Sequence, residues 1–365
     1  MVSQRTPCLL PALVLLLWFD SQSGLAAGFQ GCFRRALEVP AQRSFSAVWN
    51  TAETEVALTD FATAAILVYS LDGKVVRRVA NPGLGSLEFT KPAALQALRE
   101  GYLLVDAPTH LVWFDSTWNA FRSLDPRTAS ASTTRVEVIK SPHLVEKSIF
   151  TLSPLSRDGE YAGWGLARVP IEEPGKAEIL IPFQADSTQQ DLYSFRHDFV
   201  ATVGEKVFFL HYDPPVKILE AWPHRRTLSV VPKELQKLPT LPRLAAREQV
   251  ASLQALISRT TMPVGLFSDG EAIYLLTRKV SADSKREWLL SRIDEAADRV
   301  VHTVVLPTNA PNLLLVPGKQ RWLLLEKEAT TLDGNERIAW IVGVPANWIT
   351  STPSPLNAAV VKCDD

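Results

Sequence analysis

Six short apolar runs in this chain each end in a residue that can bond, ionise or coordinate: Asp60, Asp106, Ser153, His211, Thr277 and Glu326. Two aspartates, a glutamate and a histidine form a set that suits a hard cation, and calcium above all takes several carboxylate oxygens. Two readings of the set stay open. In one, Asp60, Asp106, His211 and Glu326 converge on an ion. In the other, each acidic side chain bonds the backbone of the turn that follows it, as Asp does at turn entrances. The second reading needs no cofactor; under the first, calcium is the candidate. A strand that is second from the inside of its sheet carries these residues away from any common centre, which favours local bonding.

Other chemistries find no support in the residue pattern. No pair among the six histidines has a zinc spacing. A serine nucleophile elbow, Gly-x-Ser-x-Gly, is absent. Gly83-Leu-Gly85 lacks the third glycine of a dinucleotide loop. Net charge is −1 with no long run of one sign, so a nucleic-acid partner, which would call for a basic face, is not expected.

The elements that carry the six residues repeat. Successive run ends lie 46, 47, 58, 66 and 49 residues apart. Each run is followed by a second apolar segment (66–69, 111–114, 164–169, 216–221, 288–293 and 338–344) and most by a third (75–79, 120–124, 177–183, 227–231 and 300–306). A segment before each run also reads as a strand: 45–49, 92–98, 136–140, 199–203, 264–267 and 313–316. Of these, 92–98 carries helical propensity in its Ala, Leu and Gln residues. Four short strands per unit and six units result. The runs are apolar on successive residues rather than on alternate ones, as in a strand covered on both faces. Stacked sheets of this kind predict an all-β chain folded as a six-bladed β-propeller. A short helical insertion is expected at about 232–263, where 243–259 has an amphipathic pattern.

Residues 56–79 resemble one blade of an NHL-type six-bladed β-propeller: an apolar strand ending in Asp60, a short loop, an apolar strand, Asp72-Gly73, then a strand to the rim. Residues 102–124 are similar, with Asp115 onward in place of the Asp-Gly turn. The resemblance implies the fold. Since six-bladed relatives that are lactonases or lyases hold metals near the ring axis, it also implies an alternative function, a metal-dependent hydrolase or lyase with an axial site.

Both ends of the chain bear on where the protein works. Leu9 to Trp18 is an apolar segment of 10 residues, followed by small residues at Ala26-Ala27. This reads as a signal peptide over 1–27, with 28–365 as a single propeller domain, secreted or periplasmic. The segment is too short to span a bilayer, and no second membrane segment is found. Cys8 leaves with the signal, and Cys32 and Cys363 remain near the two ends. In an oxidising compartment they are expected to pair, with a strand at 358–363 completing the last blade. A lipid on Cys32 is the competing use of that thiol.

Connection lengths choose a face. Segments 154–163, 278–287 and 327–337, together with the inter-blade stretches 125–135, 184–198 and 232–263, read as long loops, and antiparallel geometry puts them all on one side of the disc. Long connections on a rigid scaffold are where binding resides. The expectation is a non-catalytic scaffold that binds a protein, peptide or glycan there, with Asp60, Asp106, His211, Arg278, Glu326 and Lys327 toward that face.

Overall fold

The computed structural model describes residues 31–83, 85–125, 134–158, 160–184, 198–212, 215–236, 260–281, 285–329, 336–351 and 363. The expected signal peptide at 1–27 and the expected helix at 243–259 lie outside the described residues.

Strand β1 (Phe33–Gln42) comes first in the chain and last in the ring. Blade one is β2 (Ala47–Trp49), β3 (Glu55–Asp60), β4 (Ala65–Ser70) and β5 (Val75–Val79). Blade two is β6 (Pro92–Leu98), β7 (Gly101–Asp106), β8 (His110–Phe114) and β9 (Ala120–Leu124). In blade three, β10 (Thr134–Val136) and β11 (Lys140–Val145) both pair with β12 (Ser148–Arg157), which continues to β13 (Glu160–Pro170) and β14 (Glu178–Phe183). Blade four is β15 (Val200–Val203), β16 (Lys206–His211), β17 (Lys217–Trp222) and β18 (Arg226–Leu228). Blade five is β19 (Met262–Ser268), β20 (Ile273–Val280), β21 (Arg286–Asp294) and β22 (Arg299–Val305). Blade six is β23 (Asn312–Val316), β24 (Arg321–Ala329) and β25 (Glu336–Pro345), and its fourth strand is β1. A short helix, α1 (Ala346–Thr350), follows β25. The chain is a six-bladed β-propeller, nearly all β.

Burial explains the repeat. Every residue of β7 is buried, as are five of the six in β3 and in β4. Each blade is sandwiched between its neighbours, so both faces of its middle strands lose water, and period-two alternation has no reason to arise. The outermost strands keep charge outward instead, with Arg77 and Arg78 of β5 exposed. Segment 92–98 is a strand despite its helical propensity: Ala93, Ala94 and Leu95 are buried in the ring, and packing overrides local preference. Large aromatics wedge between blades. Tyr274 of blade five meets Trp322 of blade six edge-to-face at 4.8 Å, and Phe150 of blade three lies 5.8 Å from Trp222 of blade four.

Two expectations are corrected. The fourth strand of blade six is Phe33–Gln42 rather than 358–363, of which only Cys363 is among the described residues. Phe33, Leu37 and Ala41 of that strand are buried, every fourth residue rather than every second, and its register against β25 slips between Ala36 and Ala41. Pro40 is tolerated there because the strand lies at an edge and beside the slip. The stretches 154–163, 278–287 and 327–337, read as loops, are largely strand among their described residues: they are the far ends of long β12–β13, β20–β21 and β24–β25 hairpins.

Strand β1 is held from several sides. Arg34 donates to Glu326 through Nε (3.2 Å) and Nη2 (2.8 Å) and stacks over the Trp340 ring at 4.0 Å. Toward blade one, the Tyr69 hydroxyl donates to the Val39 carbonyl at 2.7 Å, and Glu38 N donates to Gly73 O at 2.9 Å. Gly73 has φ +85°, and a Cβ there would collide with the Ala36 carbonyl oxygen. The Asp72-Gly73 turn therefore needs glycine twice over, for its left-handed backbone and for the passage of β1. Just before β1, Cys32 is bonded to Cys363, with 4.6 Å between their Cα atoms.

Replacing Cys363 by Ser is expected to lower the unfolding free energy by about 2–4 kcal/mol while a single cooperative transition persists, because β1 still pairs with β25. Urea denaturation of the variant, with circular dichroism and tryptophan fluorescence recorded together, checks this; separated transitions would contradict it.

Candidate functional site

The residues singled out by the run ends all lie inside the protein. Relative exposure is 2% for Asp60, 7% for Asp106, 4% for His211, 1% for Arg278 and 6% for Glu326. Each has local work. Asp60 Oδ1 accepts the Thr63 backbone N–H at 3.1 Å, closing the β3–β4 turn. Asp106 Oδ1 accepts the backbone N–H groups of Thr90 (3.0 Å) and Lys91, fixing the entry into β6, while Oδ2 lies 3.7 Å from His110 Nδ1. His211 sits edge-on to Phe183 across the groove between blades three and four, with centroids 4.6 Å apart. Arg278 places its guanidinium 5.9 Å from the Trp288 ring. Besides Arg34, Glu326 accepts the Thr308 hydroxyl at 2.6 Å. Lys327 pairs with Glu336 at 3.7 Å. Among the described residues, no group of three or more His, Cys, Asp or Glu stands close enough together to hold a metal ion.

The run ends also mark a level in the disc. In blades one, two and four, strand two stops there, at Asp60, Asp106 and His211. In blade three the strand continues past Ser153 to Arg157, in blade five past Thr277 to Val280, and in blade six past Glu326 to Ala329. Three paired arms thus rise on the face of the long connections. At the blade-three arm, Arg157 and Glu160 are exposed and Tyr161 keeps 55% of its surface in water. An exposed aromatic at the tip of a braced hairpin is well suited to contact, since it offers a large area for little entropy.

A second concave feature lies on the ring axis. A cavity of about 180 Å³ is lined by residues on or beside the innermost strands of all six blades. Its polar lining comes from Ser46, Gln96, Ser141, His143, Asp198 and Ser268. Several of these stitch one blade to the next. Ser46 Oγ donates to Leu95 O (3.1 Å) and accepts from Leu95 N (3.0 Å). Gln96 Oε1 accepts Leu144 N at 2.7 Å. Ser141 Oγ accepts the N–H groups of Phe199 (3.3 Å) and Val200 (3.2 Å), and Asp198 O accepts Leu266 N at 2.8 Å. Strand β11 is irregular where it meets the cavity: its pairing with β12 slips between Lys140 and His143, and Ser141 has φ +47°. A bulge of this kind re-aims side chains, and here it gives Ser141 to the next blade and His143 to the axis. Burial pushes the His143 imidazole down to about 4, opposed by a weaker hydrogen bond with the Val200 backbone. Burial likewise brings Lys140 down to about 8. The sequence pattern does not single out these axial residues, because the polar residues that stand out in it end strand two. The available signal was a single polar residue, such as Ser46 or Gln96, inside an otherwise apolar strand one.

No family model matches this chain, and no curated protein matches it. Among solved structures, a member of the DUF4221 family from Bacteroides vulgatus is similar over 86% of this chain and 96% of its own, with a TM-score of 0.55 and 10% identity. A calcium-binding protein, regucalcin, from Agrobacterium tumefaciens covers 86% of this chain and 94% of its own at a TM-score of 0.47 and 10% identity. A gluconolactonase from Xanthomonas campestris covers 84% and 87% at a TM-score of 0.47 and 13% identity. At these identities the likeness is one of fold alone.

His143 ties stability to pH. In the unfolded chain it titrates near 6.5 and in the folded protein near 4, so between these values the unfolded state binds the extra proton. Stability is expected to fall as pH drops through that window, by about 2–3 kcal/mol from this residue alone. Urea unfolding of wild type and His143→Gln at pH 7 and pH 4.5 measures it: the variant should lose less stability on acidification, and an equal loss in both would contradict the assignment.

Proposed function

We propose that this protein is an exported, non-catalytic binding propeller that grips a protein, peptide or glycan on the face bearing the three arms. The observation that carries the reading is the overshoot of strands two and three in blades three, five and six, all on one side of the disc. A propeller that needed only to be stable has no use for hairpins projecting beyond its packed level, whereas a rigid base with projecting arms makes a concave binding surface. The apolar N-terminal segment and the Cys32–Cys363 disulfide support export to an oxidising compartment.

Tyr161 is the contact most exposed to a partner on this reading. Immobilised peptide and glycan arrays probed with wild type should give a defined set of bound sequences or sugars. Tyr161→Ala is expected to weaken that binding about tenfold or more, in the range of an interface aromatic. Val76→Ser, on the outer rim away from the arms, should leave it unchanged. Equal binding by wild type and Tyr161→Ala would overturn the assignment of the face.

A further inference from the structure

The axial cavity has a chemistry of its own. Its lining contains neither Lys nor Arg, and its one acidic residue, Asp198, is not without a partner. Most of the wall is apolar, with Phe45, Leu314 and Pro317 among the groups that face in. Two polar groups on adjacent blades stand out. Gln96 has its Oε1 fixed by the Leu144 N–H at 2.7 Å, which leaves its NH2 donors without a partner among the described residues. His143 is neutral at pH 7, and with one ring nitrogen on the Val200 backbone it has a second nitrogen for another contact. A Gln amide donor and an imidazole nitrogen, lining one mostly apolar recess from adjacent blades, match a group that both accepts and donates.

We propose that the axial cavity binds a small uncharged molecule with an apolar body and a carboxamide-like end, whose carbonyl accepts from Gln96 and whose N–H donates to His143. The volume of about 180 Å³ sets the size. Since a dry cavity of about 150 Å³ holds benzene, a ligand of roughly six to ten non-hydrogen atoms fits. A Gly or Ala in place of Gln96 would widen the recess and leave it without this donor; a Lys or Arg would make it a site for anions. Neither is what this chain carries. The bulge at Ser141 serves the same end, because it breaks the regular pairing of β11 immediately before His143. The site is separate from the arm face, and its existence does not depend on what the arms hold.

Benzamide, with nine non-hydrogen atoms, is the probe. Titration of the purified full-length mature chain, followed by ligand-observed NMR, should show benzamide binding at about 1 mM or tighter, the range open to a ligand of this size. Benzoate, which is anionic and lacks the donor, should bind about tenfold more weakly or worse, the worth of one well-placed hydrogen bond. Gln96→Glu keeps an oxygen for the Leu144 N–H but replaces the NH2 donor, and should weaken benzamide by a similar factor. Ala97→Phe, at an exposed position on the cavity wall, fills the space without touching the packed core and should abolish binding even if the glutamate variant folds poorly. Tyr161→Ala should bind benzamide as wild type does, so a failure of the arm reading and a failure of this one are told apart. The proposal is overturned if benzamide and benzoate bind alike, if Ala97→Phe binds as wild type does, or if no benzamide binding is seen, the result of a water-filled channel only.

Discussion

A propeller has to close, and closure is the constraint on which the rest of this molecule depends. A ring of six sheets assembled in order leaves the last blade one strand short and the first blade with an open flank. Here both defects are met by one segment. Strand β1 adds to β25 and so completes blade six, and its bonds through Val39 and Glu38 reach blade one. The pairing spans the length of the chain, so its entropy cost falls on folding as a whole and cannot be recovered locally. The extra fastenings make sense in that light. The Arg34–Glu326 fork, the stacking of Arg34 on Trp340 and the Cys32–Cys363 bond all act within a few residues of the seam. Glu326, which the sequence offers as a possible metal ligand, is a clasp residue.

Closure also creates the axial cavity. Innermost strands of six blades meet around the axis, and their backbones cannot hydrogen-bond into a continuous sheet across it. The serine and glutamine side chains substitute for those missing bonds between blades one and two, two and three, and three and four. Asp198 uses its backbone for the same purpose between blades four and five. Once Gln96 has spent its oxygen in this way, its amide donors turn to whatever occupies the axis. Structural and recognition roles therefore meet in one side chain, and the same holds for the bulge that serves Ser141 and His143. The arms on the outer face are a separate elaboration, made by lengthening strands two and three in three blades without disturbing the ring.

Much of the fold was legible because burial on both faces leaves a distinctive sequence. Runs such as Tyr102 to Val105 are apolar at every position, and no alternating strand looks like that. The closing strand was not legible. Phe33–Gln42 has two arginines, two further polar residues and a proline, and only every fourth residue, Phe33, Leu37 and Ala41, is buried, so no apolar run marks it. The long hairpins hid for a different reason: charges at Arg157, Glu160, Lys279 and Glu287 look like loop residues, yet paired arms above the disc are solvated on both sides and carry the same residues. As for the site, Asp60 and Asp106 advertised chemistry but serve turns, since a carboxylate at a strand end finds backbone N–H groups nearby. Gln96 gave only a faint local sign, one polar residue in an otherwise apolar strand, and His143 gave none, because what joins them is the meeting of two blades at the axis.

Hydrogen exchange through the seam tests closure most directly. Backbone amides of residues 33–42 that pair with β25 should exchange as slowly as those of residues 336–345, both opening only with global unfolding. Fast exchange at 33–42 alongside slow exchange at 358–363 would mean that the ring is closed by the other end of the chain, and would contradict the seam described here.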